Sequence, residues 1–176
     1  MIETLLRRLV KTPFGLFELI GGEEGLAWVS LPGLGASSGR DAHLARWYKD
    51  AELKDAPRSH GDAVQQLKAW VSGEFAPFKL RLAPKGTEFQ LEVWRALARV
   101  RAGKTLTYGD LAARVQRPGA ARAVGSAMRK NPLPLFVPCH RVLAGNGLGG
   151  FSGGVEGALD LKQRMLEHEG ALKKQG

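Results

Sequence analysis

Apolar positions recur in two rhythms along these 176 residues, and the change of rhythm divides the chain. In the first half, "FGLFELI" and "LAWVSL" are short apolar runs on either side of "GGEEG", a pattern that predicts a β-hairpin. "RDAHLARWYKDAEL" and "GDAVQQLKAWVSGEF" then space their apolar residues as helices do; Asp62 with Gln65 predicts a capping box for the second, and Gly73 its stop. "FKLRLAP" predicts a final strand. The Pro84-Lys85-Gly86 turn is the boundary, so the expected domains are a small α/β unit over residues 1–82 and a second over residues 83–176.

After that turn the helical rhythm dominates. Thr87 with Gln90 predicts a capping box, and Phe89, Val93, Trp94 and Leu97 share one face of the helix in "TEFQLEVWRALARV". "TYGDLAARV" and "AARAVGSAMRKN", joined by "QRPG", have the outline of a helix-turn-helix. Leu111, Ala112, Val115, Ala123, Val124 and Ala127 supply the expected buried sides, while Arg114, Arg117, Arg122, Arg129 and Lys130 remain available to phosphates. Asn131-Pro132 ends the second helix, because the residue before proline is pushed from helical angles. A stiff segment rich in proline and large apolar residues leads to Cys139, followed by the six-glycine loop "AGNGLGGFSGG" and an amphipathic helix in "ALDLKQRMLEHEG".

Composition narrows the class. A 44% hydrophobic content supplies a core, and no apolar run is long enough to span a bilayer. The start "MIETLLRRLVKTPFG" lacks the organisation of a signal peptide, so the expected place is the cytoplasm, without a membrane. A single cysteine and four scattered histidines give no zinc-ligand spacing; neither metal nor cofactor is expected. The net charge of +9 is uneven: residues 1–82 hold 11 Lys/Arg against 10 Asp/Glu, and residues 83–176 hold 15 against 7. Between Arg95 and Arg141 ten basic residues meet one acid, Asp110, which directs attention to a polyanionic partner.

The chemistry converges on "NPLPLFVPCHRVLAGNG". A free thiol near pKa 8.5 is mostly protonated at neutral pH, so a nucleophilic Cys139 needs a base or a positive field. His140 and Arg141 are adjacent candidates for each, and Glu167 and Glu169 are the nearest downstream carboxylates able to orient the histidine.

"GTEFQLEVWRAL", "TYGDLA", "ARAVGSAMRKNPLPLFVPCHRVL", "GGFSGG" and "LKQRMLEHEG" resemble, in order and nearly in spacing, the O6-alkylguanine-DNA alkyltransferases. The resemblance covers roughly residues 86–170, and the first half resembles that family's ribonuclease-H-like domain loosely. It implies an α+β protein: a ribonuclease-H-like α/β domain, then a mostly helical domain carrying a helix-turn-helix and an active-site cysteine loop. The implied partner is double-stranded DNA containing O6-alkylguanine, bound by a monomer. The implied reaction is irreversible, single-turnover transfer of an alkyl group from a flipped base to Cys139, with O4 of thymine open as a second alkyl source.

Residue roles follow from the same resemblance. His140 would act on Cys139 through a water, and Glu169 would orient His140. Tyr108 would donate to guanine N3, Ser152 would bond near O6, and the carbonyls of Cys139 and Val142 would read the exocyclic amine. Phe151 would be an aromatic pocket wall, standing where tyrosine is common, and Lys162, aligned with Glu169 by their spacing, would be a further substrate-binding residue. Asn131 would hold the thiol loop. Arg122 would enter the base stack with Ala121 and Ala123 near the minor-groove floor, and Thr107, Arg117 and Arg129 complete the expected DNA contacts. Two other readings remain at this point: a non-catalytic helix-turn-helix damage sensor with an inert Cys139, and a thiol hydrolase unrelated to DNA.

Overall fold

The computed structural model describes residues 3–34 and 39–173. Its contacts form two compact units, Met1–Gly86 and Thr87–Gly176.

In the first unit the hairpin is present, but it belongs to a larger sheet of order β3-β2-β1-β4. Strand β1 (Thr4–Thr12) lies antiparallel to β2 (Gly15–Gly22), and β2 antiparallel to β3 (Gly25–Ser30). The last strand departs from expectation. Helix α1 (Arg40–Trp47) stops before "AEL", and Glu52–Asp55 instead forms β4, parallel to β1. Every residue of β4 is exposed, so pairing with Thr4–Arg7 makes it a strand where apolar periodicity could not. A cluster of Leu5, Ile20, Ala27 and Tyr48, with Leu44 and Trp47 of α1 packed against it, supplies part of the core.

Two further expectations are corrected in this unit. Helix α2 (Gly61–Val71) is not capped by an Asp62–Gln65 box: its N-cap is His60, in left-handed conformation, and no side chain bonds the cap. His60 Nε2 donates to Leu6 O at 2.8 Å, which ties the helix entry to β1. Asp62 then lies in the first turn, where its charge faces the helix dipole. Residues 78–84 are extended without forming a strand; only Leu82 bridges, to Leu26. Leu26 N–H donates to Arg81 O at 2.9 Å and Ala83 N–H to Leu26 O at 2.7 Å. That approach requires Gly25, whose φ is 132° and whose Cβ would sit 2.3 Å from Arg81 O.

The second unit begins with α3 (Glu88–Ala98), where the Thr87–Gln90 capping box is formed in both directions. Val93, Trp94 and Leu97 are buried as the spacing predicts, and the indole N–H of Trp94 donates to Ala127 O at 3.0 Å. Strand β5 (Leu106–Thr107) leads into α4 (Tyr108–Arg114), followed by α5 (Ala121–Arg129). Leu111, Ala112, Val124 and Ala127 are buried, whereas Ala123, expected on the same buried side, is exposed. Adjacent Val124 takes the inward position, which turns Ala123 outward on the helix. One 3₁₀ turn, Cys139–Arg141, precedes β6 (Val142–Leu143), which pairs in parallel with β5. Helix α6 (Ala158–His168) closes the unit with Leu161, Lys162, Met165 and Leu166 buried. Among the described residues no helix is long and apolar enough to cross a membrane.

Candidate active site

The segment between α5 and the 3₁₀ turn is fixed by one side chain. Asn131 Nδ2 donates to Val137 O at 2.8 Å while Asn131 Oδ1 accepts from Leu133 N–H at 3.0 Å, so a buried amide satisfies backbone groups at both ends of the bend. Cys139 N–H donates to the same Val137 carbonyl at 2.8 Å. Leu135, fully buried between them, has φ 78°, a left-handed conformation that a bulky side chain adopts only when its surroundings impose it.

This segment delivers Cys139 to a cavity of about 290 Å³, whose walls include Tyr108, Met128, Arg129, Asn131, Phe151 and Ser152. Cys139 retains partial solvent exposure there. Burial pushes its thiol up to about 11, against the lowering influence of the Asn131 hydrogen bond and the Lys162 charge. The resting sulfur is a neutral thiol at pH 7.

Beside it, His140 is wholly buried, and its Nε2 lies 2.9 Å from Glu169 Oε1. Arg141 closes on the same carboxylate through Nε to Oε2 at 2.8 Å and through a terminal nitrogen to Oε1 at 2.7 Å. Its other terminal nitrogen donates to Val100 O. Burial alone would raise the Glu169 carboxyl, but the hydrogen bonds from His140 and Arg141 overcome it and hold the group well below the usual carboxylate range. Burial likewise lowers His140, opposed by its bond to Glu169. An ionised carboxylate only accepts, so Nε2 carries the imidazole proton and Nδ1 the free lone pair. Nδ1 is buried without a hydrogen-bond partner among the described residues. Arg141, a candidate source of positive field for the thiol, is thus engaged with Glu169 instead.

The opposite wall rests on Lys162. Its buried Nζ donates to Val142 O at 2.7 Å, to Gly150 O at 3.1 Å and to Leu148 O, and lies 5.8 Å from the Phe151 ring centroid. Burial lowers the ammonium to about 8, against the raising influence of Cys139, so it is charged at pH 7. Tyr108, at the start of α4, donates its hydroxyl to Gly150 O at 3.2 Å. Burial and the nearby Cys139 raise the phenol, which is opposed by Arg129, and it stays protonated. Gly149 lets these parts close: its φ is 72°, and a Cβ there would lie 2.9 Å from Ala144 N and 3.2 Å from Tyr108 Cε2.

Cys139, Tyr108, Asn131, Phe151, Ser152 and Arg129 therefore line one cavity, and His140, the residue after the thiol, is paired with Glu169. Other expected contacts fall elsewhere. Thr107 is committed to capping α4, its hydroxyl accepting from Asp110 N–H at 3.1 Å and donating to the Asp110 carboxylate at 2.8 Å. Arg117 pairs with Glu92 at 3.2 Å and lies over Phe89. Ala121 is half-buried, whereas Arg122 is exposed beside Ala123 at the start of α5. The carbonyl of Val142 and the ammonium of Lys162 hold each other. The sequence reading missed the clasp of Arg141 on Glu169 and the three hydrogen bonds of Lys162 to backbone carbonyls; neither has a local signal beyond the charged residue itself. Among the described residues no group of His, Cys, Asp and Glu is placed to hold a metal ion.

Residues 88–171 match the family described as 6-O-methylguanine DNA methyltransferase, DNA binding domain. Methylated-DNA–protein-cysteine methyltransferase of Methanosarcina acetivorans is 39% identical over 93% of this chain and 97% of that protein. The protein of the same name from Mycolicibacterium paratuberculosis is 39% identical over 92% and 90%. Among solved structures, Mycobacterium tuberculosis O6-methylguanine methyltransferase superposes with a TM-score of 0.80 at 32% identity, covering 98% of this chain and 96% of that one. Mycobacterium tuberculosis OGT in complex with DNA gives 0.79 at 32% identity, covering 94% and 93%. The chain belongs to the methylated-DNA–protein-cysteine methyltransferase family.

Proposed function

We propose that this chain repairs DNA by direct reversal, taking an alkyl group from O6 of guanine in duplex DNA onto Cys139 and keeping it. The observation that carries the reading is the position of Cys139: it lines the cavity, its neighbour His140 is buried, and Glu169 fixes that imidazole with Nδ1 as the basic atom. A thiol held near pKa 11 needs such a base. His140 accepts the thiol proton at Nδ1 through a water. The sulfur then forms a bond to the alkyl carbon as the carbon–O6 bond breaks, and the electron pair passes to O6. Tyr108, kept protonated, donates to guanine N3 and offsets the charge developing on the leaving base.

The target must leave the duplex to reach a sulfur inside a cavity, at a cost of a few kcal/mol for unstacking. The pair α4 and α5 acts as a helix-turn-helix, with exposed Arg122 entering the stack and Ala121 and Ala123 permitting close approach to the minor-groove floor. Arg129, at the cavity edge, binds phosphate. Ser152 bonds near O6, Phe151 walls the base, and the carbonyls of Cys139 and Val142 read its exocyclic amine. Arg117 and Thr107 are supporting residues of this face rather than primary phosphate ligands, since their side chains already pair with Glu92 and Asp110. A thioether is stable and the chain has one cysteine, so each molecule acts once. The four-stranded unit fits a ribonuclease-H-like supporting domain, and the chain acts as a monomer without cofactor.

Duplex containing O6-methylguanine, mixed with the purified protein, tests the reading by intact mass and peptide mapping. One methyl group on Cys139 is expected. No gain, or a gain at another residue, overturns it. Cys139→Ala should lose transfer and keep binding to the duplex, and loss of both assigns the thiol a structural role.

A further inference from the structure

The carbonyl of Gly150 accepts two hydrogen bonds, from the Tyr108 hydroxyl at 3.2 Å and from Lys162 Nζ at 3.1 Å. These occupy both lone pairs of one oxygen. The arrangement matters because a phenol has a single proton. If Tyr108 donates it to a base in the cavity, it must release Gly150. Gly150 lines that cavity and is exposed in the free chain, so a base that fills the cavity would cover its carbonyl and keep water from it. Lys162 is then its remaining partner, and the same ammonium holds Val142 O and Leu148 O on either side of the loop. Lys162 is fully buried on α6, a different element from α4, which carries Tyr108.

We propose that Lys162 is a positioning residue: it keeps the Gly150 carbonyl satisfied when Tyr108 exchanges that carbonyl for the bound base, so the cavity wall holds while the phenol changes partner. This inference rests on the function proposed above and assigns Lys162 no contact with the base. Without the ammonium, the Gly150 carbonyl competes with the base for the Tyr108 proton, because a desolvated carbonyl left unpaired is costly.

Single-turnover methyl transfer from duplex containing O6-methylguanine, measured in the full chain, in Tyr108→Phe, in Lys162→Met and in the double variant, tests the exchange. In a cycle of this kind coupled residues depart from additivity; Lys162→Met should slow transfer about tenfold more when Tyr108 is present than in the Tyr108→Phe background, where the lost bonds to Val142 O and Leu148 O act alone. Equal losses in both backgrounds, or no loss from Lys162→Met alone, overturn the proposal. Failure of the unaltered chain to transfer methyl overturns the functional reading instead. Should Lys162→Met not fold, a crystal structure of Cys139→Ser with the same duplex decides: Tyr108 should be off Gly150 and on the base, with Lys162 still bonded to Gly150 O. A Lys162 withdrawn from Gly150, or a Tyr108 still donating to it, overturns the exchange.

Discussion

Glu169 Oε1 accepts the Nε2 proton of His140 at 2.9 Å, across 29 positions of sequence, and the contact is closed to solvent. Both groups are more useful together than apart. The carboxylate selects the imidazole tautomer whose lone pair is on Nδ1, and Arg141 offsets the charge that this selection requires.

Glu169→Gln keeps the shape and removes the charge. Its amide can present a donor to His140 and leaves Arg141 buried without its anion. Transfer should slow by about a hundredfold, the scale of losing an oriented general base. Stability should fall by about 3 kcal/mol, since breaking a buried pair leaves the other charge uncompensated. Single-turnover kinetics and urea unfolding check the two; an unchanged rate removes Glu169 from the orientation of His140.

The same groups set the response to acid. His140 is held below its ordinary 6.5, so as pH falls the unfolded chain takes up this proton before the folded one. Its stabilisation is therefore complete above about pH 6.5 and declines below it. Glu169, also held low, adds its own loss as pH falls from its ordinary 4.5 toward its depressed folded value. Urea unfolding between pH 8 and pH 5 should show stability constant on the alkaline side and falling on the acid side. His140→Gln should flatten that fall. The transfer rate of the folded chain should hold through the start of that fall and decline only at lower pH, where folded His140, held below its ordinary value, takes up a proton at Nδ1; a rate that rises on acidification contradicts the assigned base.

How much of this was legible in the sequence depended on how local the cause was. The Thr87–Gln90 cap and the buried face of α3 are decided within one or two turns, and the residues announce them. Strand β4 is decided by β1, far away in sequence, and its exposed Glu52–Asp55 carry no pattern of their own. The partnership of His140 with Glu169 came from resemblance, because nothing in the spacing distinguishes Glu169 from Glu167. Arg141 and Lys162 were harder still. Their partners include the carbonyls of Val100, Leu148 and Gly150, and every residue has a carbonyl, so only the fold decides which ones face a buried cation.

Asn131 can be tested in two steps. Asn131→Ala deprives the buried Val137 carbonyl of a donor and Leu133 N–H of its acceptor, and each unsatisfied group costs about 1–3 kcal/mol. Asn131→Asp keeps the acceptor for Leu133 but turns an oxygen toward the Val137 carbonyl and places a carboxylate in a buried position, so its loss of stability should be at least as large. Both also remove an interaction that lowers the Cys139 thiol, and the thiol should react more slowly with a neutral electrophile at pH 8 in either variant. Equal stabilities for all three proteins would mean that Asn131 does not hold this bend.

Gly149 offers a test of the cavity wall that alters no functional group. At φ 72° an alanine is strained, at a cost of about 1–3 kcal/mol, and its Cβ would meet Ala144 N at 2.9 Å and Tyr108 Cε2 at 3.2 Å. The backbone contact cannot relax by rotating a side chain, so the loop must shift and carry the wall beside Tyr108 with it. Gly149→Ala should slow transfer on the order of tenfold to a hundredfold, the penalty of a displacement near 1 Å in a positioned site. Gly145→Ala is the control: a Cβ there has no atom within 4 Å, and the rate should stay within about twofold of the unaltered chain, as expected of an exposed change that meets nothing. Comparable slowing by both substitutions would show that transfer depends on the mobility of the whole glycine-rich loop, and no slowing by Gly149→Ala would show that the position of Tyr108 is not set by the wall it packs against.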